Sequence, residues 1–486
     1  MGDPPADVAA PWLVERARRD PERLALIVAG EHVTWRALAA RVEHAASALV
    51  GLAVGRGDRV AFATAASLPA VALVHAAQRI GAVLVPLNTR LAPPEIAAIV
   101  AHAEPAVVVH DAAHAAAVAE VGAPRVDAAT LEAGGAGPAP PPAPFDAAAA
   151  ATIVYTSGTT GRPKGVVLSH ANHRASAAAS RAGLGVEPAD RWLCCLPLFH
   201  VGGLSIVTRS VLDDVPVVLH DRFDARAVWR AVAAERVTLL SLVPTMLRRL
   251  LAEVEAMPRV HALRCVLVGG AALDPALDAR ARARGLPIGA TYGLTEAASQ
   301  VATAGVDDAP GDVGRPLAGT RVRIVDAGAD GCGEILVAGP TVMAGYFRDP
   351  EATAAALRDG WLHTGDVGRL DGDGRLRLLD RRIDLVVSGG ENVYPSEVEA
   401  VLLAHPAVAE AAVYGVDDAE WGRRVEAAVV PRAGAAIDES ALRAWCRARL
   451  AGYKTPRAIV AVTSLPRTAS GKLRRHALAA AAGAAR

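Results

Sequence analysis

Of the 51 basic residues in this 486-residue chain, only Lys164, Lys454 and Lys472 are lysines; the other 48 are arginines. A lysine is a compact ammonium on a flexible stem, suited to a cramped anionic site that a planar guanidinium fork does not fit. All three lie in loops rich in glycine, proline or hydroxyls: Tyr155-Thr-Ser-Gly-Thr-Thr-Gly-Arg-Pro-Lys164, Tyr453-Lys-Thr-Pro456 and Pro466-Arg-Thr-Ala-Ser-Gly-Lys472. Point charges so placed suit chemistry on phosphates and carboxylates. Chance placement is the alternative, and for Lys454 alone the two readings stand level.

The first loop follows an apolar strand pattern and carries Thr156, Ser157, Gly158, Thr159, Thr160, Gly161 and Lys164. Glycines let backbone amides approach an anion, and hydroxyls add donors to phosphate oxygens. It is not a Walker loop, because Pro163 precedes the lysine and Gly165 follows it, so no helix opens there. A second cluster comprises Leu196-Pro-Leu-Phe-His200, Gly269-Gly270-Ala271 and Thr291-Tyr-Gly-Leu-Thr-Glu296. It offers the Tyr292 ring for base stacking and the Glu296 carboxylate as a hard donor for Mg²⁺. Asp366, in Thr364-Gly-Asp366, can accept from both hydroxyls of a ribose. A fourth run spans 380–397 and contains Arg381, Ile383, Gly389, Gly390 and Glu391. Each residue has a plainer reading. His200 suits a core histidine, Asp366 a turn, and Glu296 the N-terminus of a helix.

These loops must be positioned by a large α/β framework. A length prior gives three or four structural units, and 52% apolar with 21% charged residues is a globular composition. Helix patterns over 33–52 and 67–80 alternate with strand patterns over 59–63 and 82–87, a third helix follows Pro93-Pro94, and a second alternating stretch runs over 190–293. Such alternation predicts parallel sheets covered by helices. The Pro/Gly-rich segment 133–144 reads as a surface loop. From about residue 313 short strands predict a β-rich, barrel-like subdomain. Its Asp371-Gly-Asp-Gly374 run is a hairpin turn, not a calcium loop, because the remaining ligands are missing. The expected division is 1–382, an N-terminal domain, and 383–486, a small mobile α+β domain. In the latter, Pro395 starts a helix with Val398, Val401 and Leu402 on one face. Strands over 408–416 and 424–431, a helix over 439–450 and a strand over 458–462 complete it.

Zero formal net charge gives no field that draws in nucleic acid or anionic lipid. No segment reads as a secretory signal or a membrane span. The five cysteines have neither metal nor disulfide spacing, and a reducing cytoplasm is expected. A homo-oligomer is compatible with all of this.

Taken in order, the loops resemble those of the adenylate-forming superfamily of acyl-CoA synthetases, adenylation domains and luciferase, over nearly the whole chain. The resemblance implies two half-reactions. A carboxylate attacks the α-phosphorus of ATP to give an acyl-adenylate and pyrophosphate, and the thiol of coenzyme A then displaces AMP. It implies that residues 156–164 hold the β- and γ-phosphates, with Thr156 and Glu296 near Mg²⁺. Gly269, Gly270, Ala271, Thr291, Tyr292, Gly293 and Thr295 belong to the nucleotide pocket, and Asp366 and Arg381 bind ribose. Lys472 and His200 are catalytic; Lys472 bridges the substrate carboxylate and the α-phosphate, two anions whose repulsion it offsets. In the second half-reaction the small domain rotates, so that Gly389, Gly390 and Glu391 line the coenzyme A tunnel, with Lys454 a candidate phosphate contact. The hinge position, often Asp or Lys, is Ile383 here, which puts the ease of rotation in doubt.

Within the superfamily, the runs 196–205, 242–247, 292–300 and 380–384 resemble the o-succinylbenzoate–CoA ligases of menaquinone biosynthesis. That places Arg209 near the second carboxylate of a dicarboxylate, with His200 and Ser299 beside the substrate. A structural arginine is an equal reading in a chain with 48 of them. Alternatives are other acyl- or aryl-CoA ligases, a carrier-loading adenylation enzyme, or a nucleotide-binding relative without turnover.

Overall fold

A computed structural model describes residues 11–133, 140–156, 163–253, 255, 257, 262–309, 312–328, 331–380, 385–466, 473 and 475–484. Two large sheets form the N-terminal unit. One has nine strands, with Trp192–Cys194, Leu239–Leu242, Cys265–Val268 and Ile288–Leu294 running parallel as successive neighbours. The other has seven, centred on Val83–Pro86 and Arg59–Ala63, with Ala150–Thr156 and Lys164–Ser169 as an antiparallel pair on one side. The central strands are apolar without alternation, because helices cover both faces. Thus Val60, Ala61, Phe62 and Ala63 are all buried. A third sheet of five strands, spanning Arg321–Val325 to Leu376–Asp380, is the expected β-rich subdomain.

The expected elements form with shifts at their ends, and caps set two of the helix starts. The first expected helix runs Trp35–Gly51, because the Thr34 hydroxyl accepts from the Ala37 amide and Val33 belongs to the strand Glu31–Thr34. Ser67 likewise caps Leu68–Ile80, and Gly81 ends it at φ 72°. The Asp371 to Gly374 segment is a hairpin turn between antiparallel strands, with Asp371 Oδ1 accepting from the amides of Asp373 and Arg375.

The C-terminal unit has its own sheet and core. The strands Val408–Asp418 and Gly422–Pro431 pair over most of their length, and Val386, Val398, Leu402, Val413, Val425 and Cys446 pack together. Pro395 opens the helix Pro395–Leu403 as expected. The helix expected over 439–450 is shorter, Glu439–Arg447, because Leu450 turns inward into the core.

One ion pair, between the buried Asp190 and the partly exposed Arg264, ties the starts of three parallel strands. Asp190 accepts from Arg264 Nε at 2.8 Å and from the Thr238 hydroxyl at 2.7 Å, and Arg264 also donates to the Leu184 carbonyl. Burial alone raises the Asp190 carboxyl, but these hydrogen bonds outweigh it and hold it below its ordinary value. The stability it contributes is therefore present above the ordinary carboxylate range and lost as pH falls through the lowered value. Asp190→Ala removes the acceptor shared by Arg264 and the Thr238 hydroxyl and is expected to cost about 1–3 kcal/mol, read as a lowered thermal midpoint near neutral pH. An unchanged midpoint would show that the pair carries no stability.

Candidate active site

The phosphate-loop candidate is bracketed by a hairpin. Thr156 and Lys164 are register partners on the antiparallel strands Ala150–Thr156 and Lys164–Ser169. The lysine thus opens a strand rather than a helix, which is the physical difference from a Walker loop. Gly165 must be a glycine here: an added Cβ would lie 2.7 Å from Ile153 Cγ2 and 3.2 Å from the Tyr155 ring. Residues 157–162 lie outside the described residues, and with them Ser157, Gly158, Thr159, Thr160 and Gly161.

Thr156 and Lys164 open onto a cavity of about 480 Å³, walled by the ends of the parallel strands and by the C-terminal unit. Gly269, Gly270, Thr291, Gly293 and Thr295 line it. Gly269 packs so closely that a Cβ would sit 2.6 Å from Thr291 Cγ2, and Gly270 holds φ +79°. Ala271 does not line this cavity, and neither does the Tyr292 ring, which is 1% exposed in the core beside Val166 and Leu168. The expected base-stacking ring is therefore a core side chain. What Tyr292 brings to the site is its hydroxyl, which donates to Asp366 Oδ2 at 2.7 Å and fixes that cavity-lining carboxylate.

Glu296 also lines the cavity, and its Oε1 accepts from the Tyr346 hydroxyl at 2.9 Å. The Lys164 ammonium lies 5.0 Å from the centroid of the same tyrosine ring. One aromatic side chain thus spans the lysine of the phosphate hairpin and the candidate metal carboxylate. Among the described residues no group of three or more His, Cys, Asp or Glu side chains gathers to hold a metal. A single carboxylate and a threonine lining the same cavity fit Mg²⁺, which is held largely by phosphates and water.

Arg209 and Ser299 share the cavity wall. Arg209 is 3% exposed, donates from Nη2 to the Ser176 hydroxyl at 3.2 Å, and lies 5.7 Å from the Trp192 ring centroid. Its Nε–H finds no acceptor among the described residues, and burial lowers the guanidinium to about 10. Ser299 sits at φ 107° beside Ala298 at φ 51°, a strained pair whose Ser299 carbonyl would clash with any Cβ at Gly293.

From the C-terminal unit, Gly389, Gly390 and Glu391 reach the same cavity. Glu391 is buried, and its Oε1 takes hydrogen bonds from Arg90 at 2.6 Å and His200 Nε2 at 3.1 Å. Burial pushes this carboxyl up, but His200 and Arg90 overwhelm it and hold it at about 2. Gly390, at φ +88°, faces Val243 closely enough that a Cβ would lie 3.0 Å from Cγ2.

Residues 13–347 match the AMP-binding enzyme family model, and residues 397–472 match that of the AMP-binding enzyme C-terminal domain. The chain belongs to the AMP-binding enzyme family. It is 41% identical over 478 residues to the 2-succinylbenzoate–CoA ligase of Bacillus licheniformis, covering 96% of this chain and 98% of that one. Among solved structures it resembles the o-succinylbenzoate CoA synthetase of Bacillus subtilis, at 38% identity over 96% of this chain and 98% of that one. The TM-score is 0.92 to a double mutant of that enzyme bound with a product analogue, and 0.74 to its acyl-adenylate complex. To its complex with ATP and magnesium ion it is 0.73, at 37% identity and the same coverage.

For this AMP-binding enzyme, Lys472, Arg381 and Ile383 lie outside the described residues. Lys454 is described, and its surroundings correct the expectation of a coenzyme A phosphate contact. The ammonium is 3% exposed and donates to Glu95 Oε1 at 2.6 Å and Glu397 Oε1 at 2.7 Å. Two carboxylates thus take two of its three N–H donors and offset its charge, although the residue also lines the cavity. Sequence reasoning missed Arg90, Glu95 and Tyr346. Their signals were local ones, a Pro-Pro-Glu helix start and a Gly-Tyr pair, and neither announces a partner far away in the chain.

Because Tyr292 orients Asp366 without touching the cavity, Tyr292→Phe is expected to raise the KM for ATP about tenfold, with the KM for the acid unchanged. Equal changes in both would show a general packing defect instead.

Proposed function

We propose that this AMP-binding enzyme is an o-succinylbenzoate–CoA ligase that uses ATP, Mg²⁺ and coenzyme A. The observation that carries the reading is one cavity lined at once by Asp366, Glu296 and the buried Arg209. A nucleotide, its metal and an anionic group of an acid then meet in one place. A buried guanidinium whose Nε–H lacks an acceptor suits a second carboxylate by charge-assisted hydrogen bonding, whereas an apolar acid would leave that N–H unsatisfied. The full-length similarity to ligases named for this acid supports the same choice.

In the first half-reaction a carboxylate oxygen of the acid bonds to the α-phosphorus of ATP and pyrophosphate leaves. Asp366 and the Gly269-Gly270 backbone orient the nucleotide, and Lys164 and the hairpin hold its outer phosphates. To Lys472 we assign the charge that bridges the two reacting anions and offsets their repulsion, as the family resemblance implies. Glu296 and Thr156 would offer hard oxygen donors to Mg²⁺, which would neutralise phosphate charge when bound. In the second half-reaction the sulfur of coenzyme A bonds to the acyl carbon, AMP leaves, and the thiol proton is released. Gly389 and Gly390 leave room on the wall where a side chain would intrude.

We place the boundary between the two units at 382/383, with Ile383 as hinge. Because the structure resembles the product-analogue complex more than the ATP and adenylate complexes, we take its domain orientation as that of the thioester-forming step. No helix among the described residues is long and apolar enough to cross a membrane, and no disulfide joins Cys194, Cys195, Cys265, Cys332 or Cys446; a cytoplasmic location is our proposal.

The test is pyrophosphate and AMP release with Mg-ATP and coenzyme A across o-succinylbenzoate, benzoate, malonate and fatty acids. Turnover is expected with o-succinylbenzoate; an inert o-succinylbenzoate beside an active monocarboxylic acid would sink the substrate assignment. Arg209→Leu is expected to raise the KM for o-succinylbenzoate by about 10–100-fold while leaving that for ATP in place. An unchanged KM for the acid would return Arg209 to a structural role.

A further inference from the structure

After the strand Val83–Pro86 the chain runs Asn88-Thr-Arg-Leu-Ala-Pro-Pro-Glu95 into the helix Pro93–Ala103. Three side chains of this short segment meet the C-terminal unit. Asn88 Nδ2 donates to the Tyr453 hydroxyl at 3.4 Å, Arg90 donates to Glu391, and Glu95 receives the Lys454 ammonium. The other oxygen of Glu95 accepts the Ala451 amide at 2.7 Å and, at 2.8 Å, the Ala92 amide at the start of its own helix.

The charges at the centre do not balance. One ammonium, Lys454, serves two carboxylates, Glu95 at 11% side-chain exposure and Glu397 at 9%. Glu397 belongs to the same unit as Lys454, so the two form a balanced pair before any docking. Glu95 comes from the other unit and adds a second buried negative charge. That charge is tolerable only while the lysine and the Ala451 amide face it. Consistent with this, burial lowers the Lys454 ammonium, yet the two carboxylates outweigh burial and leave it raised.

We propose that Glu95 is a positioning residue for the thioester-forming half-reaction. Its carboxylate, pinned on Lys454, holds the C-terminal unit where Gly389, Gly390 and Glu391 wall the cavity. Adenylate formation uses another orientation of that unit and does not need the contact. This rests on the ligase reading above and on the difference in similarity between the structures of the Bacillus subtilis enzyme, TM-score 0.92 against 0.74.

Glu95→Gln is the clean variant. The amide oxygen still accepts the Ala92 and Ala451 amides, and Lys454 keeps its balanced pair with Glu397, so both units retain their folds. The ionic link between them is lost, and the new amide NH2 faces the ammonium as a second donor, which further weakens the junction. Two half-reactions are measured separately: ATP–pyrophosphate exchange with o-succinylbenzoate, and single-turnover thioester formation from supplied acyl-adenylate and coenzyme A. The expected result is a loss of about tenfold or more in thioester formation, with exchange within about twofold of wild type. Glu95→Asp, which keeps the charge on a shorter stem, is expected to recover part of the thioester rate. Equal losses in both half-reactions, or no loss in either, would overturn the proposal. Wild-type enzyme that makes no thioester would overturn the ligase reading itself, a result separable from any behaviour of the variant.

Discussion

Removing a carboxylate from water costs several kcal/mol unless cations and hydrogen-bond donors replace the solvent. Glu391 meets that requirement only across the junction of two units. Arg90 and His200, its hydrogen-bond partners, both belong to the N-terminal unit. Docking and charge satisfaction are therefore one event. The same event brings Gly389 and Gly390 to the cavity and encloses Lys454 between Glu95 and Glu397. Without the docked unit, the cavity lacks a wall.

The remaining walls follow from sheet geometry. In an open α/β sheet the crevice lies beyond the carboxyl ends of the strands, where the connecting loops emerge. Three neighbouring parallel strands, Trp192–Cys194, Leu239–Leu242 and Cys265–Val268, deliver His200, Val243 and Gly269-Gly270 to that edge. The second sheet contributes an antiparallel hairpin instead, with Thr156 and Lys164 at its mouth. Tyr346 then joins the two contributions, with its ring beside Lys164 and its hydroxyl on Glu296.

Much of this was legible along the chain. The α/β alternation, the β-rich subdomain, the Asp371 turn and the Pro395 helix start follow from local rules, namely apolar periodicity, capping side chains and turn residues. The cavity-lining glycines were legible because only a glycine leaves room where neighbouring atoms crowd the Cβ position, as Thr291 does at Gly269 and the Ser299 carbonyl does at Gly293. Element ends were less so, since a helix starts where Thr34 or Ser67 caps it, not where the apolar pattern begins. Tyr292 shows a sharper limit. Its place in the Thr291 to Glu296 run marks it as part of the site, yet periodicity cannot say whether a ring faces a ligand or the core behind it.

The sequence by itself determined the family, the order of the loops and the kinds of group offered to phosphate, metal and acid. Those properties reside in residue types at short spacing, where local chemistry is nearly independent of the rest of the chain. Only the tertiary structure decided which groups share a cavity and which are taken by one another. Lys454 is the clearest case. In sequence it was a free ammonium in a Tyr-Lys-Thr-Pro turn, open to a coenzyme phosphate. In the fold, one partner lies 57 residues away within its own unit and the other 359 residues away across the junction. Whether a charge is available to a ligand depends on what else is buried beside it, and spacing along the chain does not encode that.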